Sequence, residues 1–179
     1  MNLKQKRAVI SKLVESLQEQ GSWCGETHIQ KATYCLQEVT SVPLEFNFIL
    51  YKHGPFSFDL RDELTAMRAY GFLDIRVNPY PYGPSLCITE MAKALTQDLP
   101  KTLQKFNKKI NFIAATLGDK GVTELERLAT ALFVAREENL KNTDERANVI
   151  HKLKPHVSIA QADAASRDID MILSHAANV

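Results

Sequence analysis

Hydrophobic and polar positions alternate along this chain with two distinct periods, and the switches between them mark its elements. Val9, Ile10, Leu13, Val14 and Leu17 recur at helical spacing before Gly21, which predicts a first helix with a glycine stop. Ile29, Ala32, Leu36 and Val39 predict a second helix over about 27–39. After Pro43 the period falls to two: Leu44, Phe46, Phe48 and Leu50 alternate with Glu45, Asn47, Ile49 and Tyr51, as in a strand with one buried face. The KHGPFS segment reads as a turn, because Gly54 tolerates a positive φ and Pro55 fixes its own. Ser57 is placed to cap a third helix with Leu60, Leu64 and Met67 inward and Gly71 at its end. FLDIRV and LCI read as two strands around the turn-rich loop NPYPYGPS, and Thr89 caps a short helix before Pro100.

Two helices, a strand, a helix and a two-stranded wing define a winged-helix-like domain over residues 1–99. Residues 100–179 read as a helical region packed on it, since the joint near Asp98–Lys101 is short. Its stripes are Leu103, Phe106, Ile110, Ile113 and Leu117 before Gly118; then Val122, Leu125, Leu128, Leu132 and Ala135. Thr143 opens a helix with Ala147, Ile150 and Leu153, and Pro155 breaks it. Ser158 and Gln161 form a capping box for a last helix with Ile159, Ala162, Ile169 and Leu173 inward. The fold class expected is mainly α with a small antiparallel β wing.

Composition narrows function mainly by exclusion. The 179 residues are 45% hydrophobic and 24% charged with a formal net charge of +1, values of an ordinary globular protein and not of a polycationic nucleic-acid coat. Cys24, Cys35 and Cys87 are few, odd in number and unpaired in spacing, as expected of reduced thiols in the cytoplasm. The amino terminus is charged throughout and has no long apolar run, so neither a signal peptide nor a membrane span is expected. There is no phosphate-binding glycine loop, no nucleophile elbow, and no zinc spacing among the Cys and His residues. Asp168 and Asp170 lie two apart on a helix, so their carboxylates diverge. No enzyme activity, metal or cofactor is expected.

Recognition of DNA would fall to the third helix, but FDLRDELTAMRAYG sets Arg61 and Arg68 against Asp59, Asp62 and Glu63 and is net acidic. The better basic candidates are Lys4, Lys6 and Arg7, and the strip Lys101, Lys105, Lys108 and Lys109 on one helical face. A partner protein has two candidate contacts. One is the polar corner where Tyr51, Lys52, His53 and Ser57 surround Gly54–Pro55; the other is the wing tip with Tyr80, Pro81 and Tyr82.

The segments IQKATYCLQE (29–38) and FILYKHGPFSFDLRDEL (48–64), with LERLATALFV and HKLKPHVSIAQA downstream, resemble the bacterial YwgA-type proteins and the related SocA-like Panacea antitoxin domain. The shared pattern is a helix with Lys31 and Tyr34, an aromatic strand, a Tyr-x-x-Gly-Pro turn and a helix. The resemblance implies a cytoplasmic bacterial protein without catalysis that binds a partner protein, a toxin or a defence component. The stretch after Gly54–Pro55 matches the YwgA type more closely than the antitoxin domain. The expected partner-binding residues are Lys31, Tyr34, Lys52, His53, Arg61, Tyr80 and Tyr82. A DNA-binding regulator is the alternative, and a homodimer through the carboxy-terminal helices a third reading.

Overall fold

A computed structural model of the chain describes residues 1–80, 83–138, 140 and 142–179. Its elements run α1 (Leu3–Glu19), α2 (Glu26–Thr40), β1 (Ile49–Tyr51), β2 (Gly54–Phe56), α3 (Phe58–Ala69), β3 (Leu73–Arg76), β4 (Ser85–Ile88) and α4 (Glu90–Gln97). Four longer helices follow: α5 (Pro100–Leu117), α6 (Val122–Glu137), α7 (Thr143–Leu153) and α8 (Ile159–Ala176). The protein is thus mainly α with a small antiparallel wing and a carboxy-terminal helical region.

The helix signals act as their chemistry predicts. Asn2 and Gln5 form a capping box at the start of α1, and Val9, Ile10, Leu13, Val14 and Leu17 are fully buried along it. Ser57 accepts from the Leu60 N–H at 3.2 Å, Thr89 accepts from Ala92, and Ser158 and Gln161 close the second capping box. Gly21 and Gly71 end their helices at positive φ (86° and 75°). Gly118 serves another purpose: its φ is −63°, and a Cβ there would sit 2.4 Å from the Gln20 Cβ, so glycine lets α5 close on the end of α1.

The strand expected over 44–51 is shorter than its pattern. Burial alternates through Leu44, Phe46, Phe48 and Leu50, but ladder pairing is confined to β1. Two local features account for this. Glu45 adopts φ 59°, and the Gln37 side chain takes both backbone groups of Phe46, donating at 3.1 Å and accepting at 2.9 Å. The partner of β1 is β2, so Gly54 and Pro55 lie in a strand and the loop is Lys52–His53 alone. β3 and β4 pair separately as the wing, in register from Leu73↔Ile88 to Arg76↔Ser85, and Leu86 N–H donates to the Cys24 carbonyl.

One apolar cluster spans both sides of the Leu99–Pro100 joint: α5 lays Phe106, Ile110, Ile113 and Leu117 against α1 and α2, and α6 crosses α2 and β2. α7 and α8 form an antiparallel pair packed on α6. Leu153 and Ile159, expected inward, are half exposed at the two helix ends flanking Pro155, and Val122, expected on the inner stripe of α6, is half exposed at its first position. The place of an inner leucine is taken by Arg146, 2% exposed, whose guanidinium grips Asp170 of α8 with both Nη atoms, Nη1 at 2.8 Å from Oδ1. Asp170→Ala should therefore cost about 2–3 kcal/mol by urea denaturation, since it strands a buried cation, while Asp168→Ala should cost under about 0.5 kcal/mol. Among the described residues no helix is long and apolar enough to cross a membrane.

Candidate functional site

The β1–β2 hairpin is held by polar groups where a larger sheet would use neighbouring strands. Pro55 has no N–H, and its carbonyl accepts from Lys31 Nζ at 2.8 Å. Gln30, one residue earlier on α2, donates to the Ser57 carbonyl at 2.9 Å and accepts from the Ser57 N–H at 3.0 Å. On the other side, Lys154 reaches back from the end of α7 to the carbonyls of Tyr51 (2.6 Å) and Lys52. Gly54 completes the fit. Its φ is +85°, and a Cβ would stand 3.1 Å from Thr130 Oγ1 and 3.4 Å from the Glu126 carbonyl, so the hairpin lies directly on α6.

Beneath the loop sits Glu126, only 7% exposed. Its Oε2 is 3.5 Å from His53 Nδ1; its Oε1 is 3.3 Å from His156 Nε2 and 3.7 Å from Lys154 Nζ. Oε1 makes no hydrogen bond, so its attraction to the Lys154 ammonium is Coulombic. Burial pushes the Lys31 amine down to about 8; the Glu126 charge opposes that shift and the Lys154 charge adds to it. Two imidazoles and a carboxylate come together here, but among the described residues no three such side chains are arranged to hold an ion.

Above Glu126 opens a cleft of about 910 Å³ between the hairpin, the start of α6 and the α7–α8 joint. Tyr51, Val122 and Leu153, each about half exposed, give it an apolar rim. Lys52, His53, Arg127 and His156 add a polar one. Neither the Lys52 ammonium nor the Arg127 guanidinium has a hydrogen-bond or ion-pair partner among the described residues. On the outer side of the hairpin, Tyr51, Phe56 and Phe58 pack ring to ring at 5.1–5.8 Å, and Arg61 lies over Phe58 at 5.0 Å.

The expected partner-binding residues divide sharply. Lys52 and His53 stand at the loop tip, whereas Arg61, over Phe58 and paired with Asp62 at 3.3 Å, is not among the residues that line the cleft. Lys31 and Tyr34 are not surface groups. Lys31 is 2% exposed and works from below, and Tyr34 is buried between Phe48 (4.9 Å) and Phe133 (6.4 Å), its phenol pushed far up by that burial. Tyr80 is 98% exposed on the wing loop, away from the residues that line the cleft; Tyr82 lies outside the described residues.

The basic groups offered for DNA are largely engaged. Lys4 pairs with Asp98 at 3.8 Å and Lys6 with Glu45 at 3.1 Å; Arg7 bonds Glu63 at 2.6 Å under Tyr70. Lys109 donates to the Thr40 carbonyl at 2.7 Å, and Lys105 lies over the Phe106 ring. Exposed Lys101, Lys105 and Lys108 remain of that strip.

Sequence reasoning missed Gln30, Glu126, Arg127, Lys154 and His156. One signal for Glu126 was available: Leu125 and the run Leu128–Val134 leave α6 little polar face, so an acid in its second turn had to lie inside or at a buried edge. Compared with known proteins, the chain matches no family model and no curated protein.

Proposed function

We propose that this protein is a non-enzymatic module that binds a partner protein, in a bacterial regulatory, toxin–antitoxin or defence setting, through the cleft beside the Lys52–His53 loop. The observation that carries this reading is the contrast between floor and rim. In the floor, Lys31 and Lys154 are committed to main-chain carbonyls and Glu126 to balancing their charge. That wiring ties the floor to the main chain of the hairpin. On the rim, cations without an ion-pair partner among the described residues stand beside half-exposed Tyr51, Val122 and Leu153, the mixture of anchor and charge that protein interfaces use. The resemblance of residues 29–38 and 48–64 to YwgA-type and Panacea proteins points the same way. DNA binding has weaker support, since most of the candidate cations already have partners.

The two readings separate by site-specific photocrosslinking in a bacterial host. A benzophenone side chain at Tyr51 should yield protease-sensitive adducts, and one at Lys108 should yield none. Lys52→Glu with Arg127→Glu should cut the Tyr51 adduct about tenfold or more, the loss expected when roughly 1.4 kcal/mol of complementary charge turns repulsive. Nuclease-sensitive adducts at Lys108, with none at Tyr51, would reverse the assignment.

A further inference from the structure

Resting on the partner-binding reading, we infer that the group this cleft recognises is a carboxylate carried next to apolar side chains on a segment of the partner. Charge balance is the first argument. Glu126 is the only acid among the lining residues, and the ammoniums of Lys31 and Lys154 already answer it. Glu124 and Asp168 border Arg127 on its far side without pairing with it, so within the concave cleft Lys52 and Arg127 are surplus positive charge, where an anion is attracted.

The surroundings of the two cations narrow the ligand further. Arg127 offers a planar fork that matches a carboxylate with two parallel hydrogen bonds. Glu126 lies at the bottom with Oε1 free of hydrogen bonds, so the anion is held at the rim, by Lys52 and Arg127, and not on the floor. Tyr51, Val122 and Leu153 line the same opening and would cover the apolar neighbours of that carboxylate. A segment with an acidic residue between two leucines satisfies all three conditions. Nucleic acid, whose phosphates an arginine fork also takes, fails the last.

The probes are four acetylated, amidated nonapeptides that differ at one central position: Leu-Glu-Leu, Leu-Gln-Leu, Leu-Lys-Leu and Leu-phosphoSer-Leu. They are titrated into the full-length ¹⁵N-labelled chain. The Leu-Glu-Leu peptide should shift the amides of Lys52, His53, Val122 and Arg127, with an affinity at least tenfold above the Gln peptide. Lys52→Gln with Arg127→Gln should erase that difference while leaving the rest of the spectrum intact. Equal shifts from the Glu and Gln peptides would overturn the carboxylate assignment and leave partner binding standing. Tighter binding of the phosphoserine peptide would overturn it as well. No cleft shift with any peptide, together with no adduct at Tyr51, would bring down both readings.

Discussion

Gly54→Ala should destabilise the protein by about 2–4 kcal/mol, one of the two largest single-residue effects expected here. Two costs add. A φ of +85° places an L-residue in the left-handed region, a penalty of about 1–2 kcal/mol. The new methyl would also meet Thr130 Oγ1 at 3.1 Å, the Glu126 carbonyl at 3.4 Å and Lys31 Cε at 3.5 Å. Relief requires lifting the hairpin from α6, which stretches the Lys31–Pro55 and Lys154–Tyr51 hydrogen bonds. Gly21→Ala is the matched control, because its φ is +86° and nothing stands within 4 Å of the added Cβ. It should lose only the conformational share, about 1–2 kcal/mol. Urea midpoints of the two variants at constant m-value measure the difference. Equal losses would mean that the hairpin does not press on α6.

The same hairpin shows how far a reading of residues in order reaches. Helix existence and caps were legible, because Ser57, Thr89 and Ser158 act within a few residues of their own positions, and inner faces were legible except at helix ends, where Val122, Leu153 and Ile159 are half exposed. The wing was legible for the same reason, with FLDIRV and LCI pairing across one loop. The length of β1 was not. Its limit is set by the Gln37 amide nine residues away and by the φ of Glu45, neither of which disturbs the period of two. Lys31 and Tyr34 mislead in another way. Every residue from His28 to Leu36 is buried, so Gln30, Lys31 and Thr33 occupy positions that an amphipathic pattern assigns to solvent. Of the cleft, Lys52 and His53 were visible as polar residues beside a Gly-Pro corner. Glu126, Lys154 and His156 come from about 70 to 100 residues downstream, and only tertiary packing brings them to the loop.

Glu126→Leu should cost about 3–5 kcal/mol, because it leaves two buried ammonium groups without an opposing charge. Adding Lys31→Met should recover about 1–3 kcal/mol of that loss, even though the Pro55 carbonyl then lacks its donor, since neighbours in one charge cluster do not add. Titration gives an independent check with a definite sign. Burial holds Lys31 at about 8 in the fold against 10.5 when unfolded, so between those values the unfolded chain binds more protons. Raising the pH through that window therefore favours the folded state, by at most about 1.4 kcal/mol per pH unit. Buried Cys24 and Cys35 work in the opposite direction above pH 9, because their thiols are held up to about 11 and 12 and ionise only on unfolding. Subtracting the stability of Lys31→Met from that of the native chain cancels the Cys24 contribution; Cys35, whose thiol the Lys31 charge lowers, enters the difference only above pH 9, so the first part of the window is the lysine's. That difference should rise from pH 8 to pH 10 in urea denaturation. In the Glu126→Leu background, where the attraction that raises the Lys31 pKa is gone, the rise should begin closer to neutrality. A difference that stays flat across the window would mean that Lys31 keeps its proton in the fold as readily as in water, and the charge balance drawn for the cleft floor would fail with it.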